Sequence, residues 1–84
     1  MLGKSLDNAV VIDIREGNYV HAEYVWLADN IGEYEFVKQE LKAANEKFYD
    51  KITVKVRRNG AEVLEDYYFD CTAGFIAMLE NFDK

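Results

Sequence analysis

One histidine, one cysteine and a set of carboxylates are the side chains in this sequence with the chemistry for catalysis or ligand capture. His21 has no serine, cysteine or second histidine near it, so neither a hydrolytic triad nor a histidine metal cluster is indicated; beside Glu23, its concrete role would be pH sensing. Cys71 falls where a strand is predicted to give way to a helix, a position at which helix-terminal amides lower a thiol pKa. A cysteine hydrolase also needs a base, and the single histidine lies far back in the first predicted hairpin, so a small, inert junction residue is the simpler reading. Glu23 and Glu65 occupy matching positions in two similar halves. With ideal hairpins Glu65 falls opposite Val54 on the face expected to be buried, where two meeting carboxylates would make an acid/base pair or a cation site. A β-bulge or a slipped register would instead turn Glu65 outward, and the outward arrangement is the expectation.

The remaining signals carry less chemistry. Gly17, Gly32, Gly60 and Gly74 are dispersed, without the spacing of a phosphate-binding loop. Lys55, Arg57 and Arg58 would suit phosphate or carboxylate, but pairing with Glu62, Glu65 or Asp66 across a hairpin accounts for them. No catalytic, cofactor-binding or metal-ligating residue is assigned from the sequence, and no cofactor is expected.

The elements that would position these residues follow from periodicity. Residues 1–8 show none and are expected to be a loose leader. The β-branched run Ala9 to Arg15, the turn residues Glu16-Gly17-Asn18 and the aromatic run Tyr19 to Leu27 predict a β-hairpin. Asp29 or Asn30 with Glu33 resembles a capping box, and Tyr34, Val37, Leu41, Ala44 and Phe48 recur at steps of three and four, predicting a helix to about Tyr49. At Ile52 the period changes to two, with Val54 and Val56 following. Asn59-Gly60 is the preferred pair for a tight type I′ turn, so a second hairpin is predicted through Phe69. Asp70 or Thr72 can then cap a short helix with Phe75, Met78, Leu79 and Phe82 on one face.

Sliding the chain by half its length brings Val10 onto Ile52, Ile12 onto Val54, Arg15 onto Arg57, Glu23 onto Glu65, Trp26 onto Tyr68 and Gly32 onto Gly74. This predicts a pseudo-repeat, 9–50 and 51–84, of two ββα units. The expected fold class is α+β, a single domain over 1–84, with the order ββαββα, a four-stranded antiparallel sheet and both helices packed on one face.

Composition bounds the function. Half of the 84 residues are apolar, with one Trp, six Tyr and five Phe, enough for a core. Ten Lys and Arg against sixteen Asp and Glu give a formal charge of −6, which repels phosphate backbones; direct nucleic-acid binding is not expected, while a basic partner would be steered toward the chain. One cysteine allows no internal disulfide and fits a reducing cytoplasm, and neither an export signal nor a membrane span is visible. The second and fourth predicted strands carry large side chains on both faces. An open sheet face bearing Tyr19, Tyr24, Trp26, Tyr67 and Tyr68 would be a candidate interface, most simply for a homodimer.

The function that follows by elimination is a small, non-enzymatic, acidic protein-binding domain, an inhibitor of a basic, nucleic-acid-handling partner of the kind used by phage or mobile elements. Its acidic contacts would be Glu33, Glu35, Glu40, Glu62 and Asp66. A structural or regulatory homo-oligomer is the alternative, and a carboxylate-dependent enzyme centred on Glu23 and Glu65 the second.

Overall fold

The computed structural model describes residues 2–14 and 19–82 and is α+β. In chain order, a short 3-10 turn (Leu6–Asn8) leads to β1 (Val10–Val11), α1 (Tyr19–Ile31), β2 (Glu35–Ala44), β3 (Lys47–Arg58), β4 (Ala61–Asp70) and α2 (Thr72–Phe82). The four strands form one open sheet in the order β1-β4-β3-β2. It is mixed, because β1 runs parallel to β4 while the two hairpins are antiparallel.

The second half of the chain folds as its pattern dictates. Ile52, Val54 and Val56 are buried along one face, with Thr53 buried on the other, Asn59 and Gly60 take φ of 52° and 81° at the turn, and β4 returns in unbroken register.

The first half departs from expectation, so the ββαββα order and the tandem repeat are corrected to βαβββα. Residues 19–27 are helical, not a strand. Tyr19, Glu23 and Leu27, one turn apart, are the buried stripe of α1, and the glutamate at its centre interrupts the apolar period that would have announced a helix. Residues 35–44 are a strand, not a helix. Their helix-forming residues give way to a ladder with β3, since local propensity is a weak preference that tertiary pairing overrides. The β2–β3 turn, Asn45 and Glu46 at φ 53° and 62°, repeats the left-handed pair of the later hairpin without its glycine. Asp29 and Asn30 close α1 instead of opening a helix: Asn30 Nδ2 donates to the Trp26 carbonyl at 2.9 Å, and Gly32, at φ 76°, ends the helix. The turn expected at Glu16-Gly17-Asn18 and the Arg15 correspondence lie outside the described residues.

Residues 2–8 are not a loose leader. Gly3 is buried, its carbonyl accepts the Tyr68 amide at 2.7 Å, and the Lys4 ammonium sits 4.5 Å from the centre of the Tyr67 ring.

The sheet has two unlike faces. The inner face carries Asp50, Ile52, Val54 and Val56 of β3 opposite Phe69, Tyr67, Glu65 and Val63 of β4. Trp26 of α1 meets Phe69 and Tyr67 there, at ring separations of 5.5 and 5.9 Å, and Phe75 of α2 lies 4.3 Å from Phe48. A Cβ on Gly74 would come within 2.6 Å of the Tyr19 ring and 2.7 Å of the Ile14 carbonyl, so only glycine lets α2 approach this closely. On the outer face, lysines and arginines of β2 and β3 alternate with acids of β2 and β4. Lys38 and Lys42 flank Glu40, Lys51 meets Asp66, Lys47 meets Asp70, and Lys55 and Arg57 meet Glu62. Among the described residues no helix is long and apolar enough to cross a membrane.

Candidate functional site

The stripe of α1 that faces the sheet places Glu23 over Asp50, where apolar neighbours would be expected. Glu23 is 0% and Asp50 3% exposed. Cys71, in the junction between β4 and α2, is held by its own amide donating to the Phe48 carbonyl at 3.0 Å and is equally buried. One ligand-type atom from each of Glu23, Asp50 and Cys71 lies within 4.8 Å of the others. Helix, strand and junction thus converge on one polar cluster inside an apolar layer of Leu27, Ile52, Val54 and Phe69.

Among the described residues, no N–H or O–H donor reaches either oxygen of Glu23, nor Oδ2 of Asp50. What Glu23 faces is the second carboxyl. Burial first, then the closeness and charge of Asp50, push Glu23 up to about 10. It is therefore protonated at neutral pH. Burial, then the charges of Asp50 and Glu23, push the Cys71 thiol up to about 12, and its Sγ lies 3.6 Å from the Phe48 carbonyl. Cys71 is thus a buried, neutral thiol, the opposite of the nucleophile that helix-terminal amides would activate. Burial first, then the same acids and Cys71, raise the Tyr19 hydroxyl.

Glu65 does not join this cluster. It stands opposite Val54 in regular register, so the expected outward turn through a bulge or slip does not occur. The Arg58 guanidinium grips it with two bonds of 2.9 and 3.1 Å, the Tyr67 hydroxyl donates to it at 2.7 Å, and Lys4 lies 3.7 Å away. Arg58 leads these partners in holding Glu65 down at about 2. The proposed Glu23–Glu65 acid/base pair is overturned: each carboxyl has its own partners, and Asp50, which the sequence did not single out, meets Glu23. The signal that would have found it is the acid in β3 that shares the parity of Ile52, Val54 and Val56 and so points inward.

The five aromatics do not share an open sheet face. Tyr19 and Tyr67 are buried, and Tyr19, Tyr24 and Trp26 belong to α1. The Tyr24 hydroxyl lies 3.2 Å from Gln39 Oε1 and its ring packs edge-on to Phe36, while Tyr68 is half-buried on the outer face. His21 is exposed on α1. Of the five acidic positions, Glu35, Glu40, Glu62 and Asp66 pair with lysines or arginines of this chain, and Glu33 is exposed in the α1–β2 connection.

Exposed apolar surface is found instead on β2. This ten-residue strand pairs with β3 along one side and forms a border of the sheet. Phe36, Val37 and Leu41 are 47%, 42% and 51% exposed. The ladder shifts register between Phe36 and Lys38, leaving Val37 as a bulge. A groove of about 580 Å³ between β1 and α2, lined by Val11, Ile12, Thr72, Ala73, Ile76 and Glu80 among others, reaches none of the buried acids.

Comparison of the chain with protein families, curated proteins and solved structures yields no match.

Proposed function

We propose that this chain is a small, non-enzymatic protein-binding domain that works by strand addition at its β2 border, with a second copy of itself as the partner. The observation that carries this reading is a border strand of ten residues with its outer hydrogen-bonding side unpaired by the sheet and three large apolar side chains exposed along it. Charge selects the occupant. Lys38, Glu40 and Lys42 alternate on the outer face, so two antiparallel copies centred on Gln39 set Lys38 against Glu40 of the partner subunit, and Glu40 against Lys38 of the partner subunit. A register centred on Leu41 does the same with Lys42. Border lysines and a bulge ordinarily discourage indiscriminate pairing, so a partner must answer the charges to dock.

The acidic-inhibitor reading has less support. Its acids on the outer face are interleaved with cations, which does not concentrate negative charge as an imitation of nucleic acid requires.

Sedimentation velocity on three proteins tests the dimer. Wild type is expected to dimerise. Lys38→Glu with Lys42→Glu, and separately Glu40→Lys, are expected to sediment as monomers, and an equal mixture of the two variants to dimerise again. A wild type that stays monomeric at every concentration, or variants that dimerise as well as it does, overturns the reading.

A further inference from the structure

Strand pairing at the border makes no use of the acids buried beneath α1. Among the described residues the ion pairs lie elsewhere, with Arg58 on Glu65 and with Lys47 and Lys51 on Asp70 and Asp66. A fully buried carboxyl with both oxygens unmet by any donor among the described residues, and grouped with a second acid and a thiol, describes a place for a cation.

We propose that Glu23, Asp50 and Cys71 bind a divalent, thiophilic cation of the zinc class, which ties α1, β3 and the β4–α2 junction to one point. The donor set selects the ion. Calcium and magnesium take oxygen ligands, whereas zinc accepts thiolate and carboxylate together in a tetrahedral shell. Adjacent ligand atoms around tetrahedral zinc stand about 3.5 Å apart. The three donor atoms, within 4.8 Å of one another, close to that spacing with movements of about 1 Å, which side-chain rotation can supply. Three protein ligands leave a fourth position for water. Because all three are buried, the ion enters as the chain folds, and its binding contributes to folding directly.

The test uses the full chain, stripped with chelator and titrated with Co²⁺, then Zn²⁺. One equivalent of Co²⁺ is expected to produce a thiolate-to-cobalt charge-transfer band that Zn²⁺ abolishes. Zn²⁺ at about a hundredfold above its Kd is expected to raise Tm by about 10 °C or more. Cys71→Ser should lose the band, and Glu23→Gln, which keeps the side-chain size and removes a buried acid, should remain folded yet bind Zn²⁺ at least tenfold more weakly. Lys38→Glu with Lys42→Glu should bind the metal like wild type, which separates this site from the border. The proposal is overturned if folded wild type shows no band, or if Glu23→Gln binds Zn²⁺ as tightly as wild type.

Discussion

Glu23 and Glu65 face the same side of the sheet and are driven in opposite directions. At the rim, Glu65 receives donors from Arg58 and Tyr67 with Lys4 close by, and it stays ionised down to about 2. At the centre, Glu23 has a second acid for company and holds its proton up to about 10. Burial at the centre and cations at the rim decide the outcome: the rim of so thin a layer admits Arg58 and Lys4 with their heads in water, and the centre admits no such side chain among the described residues. The rim therefore gains stability from its carboxylate, while the centre carries a burden that a proton or a metal must relieve.

The comparison breaks most severely if the centre collapses. Leu27, fully buried one turn beyond Glu23, anchors α1, and Leu27→Ala is expected to cost about 3 kcal/mol in urea denaturation. A loss under about 1 kcal/mol would mean that α1 is held elsewhere.

Glu23→Gln, studied with chelator present, is expected to gain roughly 1–3 kcal/mol near neutral pH, since the amide is already neutral and folding no longer has to take up a proton at this site. The sign follows from the raised pKa. The folded state binds this proton more tightly than the unfolded one, so wild-type stability falls as pH climbs from 4.5 toward about 10. The glutamine variant should lack that slope, and denaturant midpoints across the range will show whether the two curves diverge.

Arg58→Ala is expected to lower stability by less than Leu27→Ala does, because it strips a bidentate charge-assisted pair from Glu65 at the solvent-exposed rim. Here the folded pKa lies below the ordinary 4.5, so the stabilisation is present above that value and fades as pH falls toward about 2. Carbon-detected NMR titration should find the Glu65 carboxyl shifted upward in the variant, and an unmoved value would assign the depression to Tyr67 and Lys4.

Lys4→Ala should have the smallest effect, about 0.5 kcal/mol, through its placement over Tyr67 and its long pair with Glu65. Added salt should erase part of that difference in thermal melts.

How much of this was legible differs along the chain. Ile52 to Phe69 announced itself, because a strand with one buried face alternates visibly and Asn59-Gly60 permits little but a tight turn. Tyr19 to Ile31 did not, since its aromatic and β-branched residues suit a strand and the stripe that makes it a helix runs through Glu23. Glu35 to Ala44 misled for the opposite reason: a border strand wet on both faces has no buried row to impose a period of two, so Val37 and Leu41 fell into helical spacing by composition alone. Asn45 was the missed turn residue. The buried cluster combined both failures. Glu23 was noticed but paired with Glu65 through a repeat the fold does not have, Cys71 was read as a possible nucleophile and then set aside, and Asp50 stood at the predicted end of a helix that does not form.

The two borders of the sheet are unequal: β2 offers ten residues, and β1 offers two, set parallel against β4. In the vocabulary of polymer chemistry, the proposed pairing would make this a monofunctional monomer, with one end to add and the other a chain terminator. Once two copies have joined at β2, both remaining borders are β1, too short to template a further strand. In the proposed dimer growth would end at two, and the dyad that closed the pair would also withhold the repeating ladder from which a fibril is built.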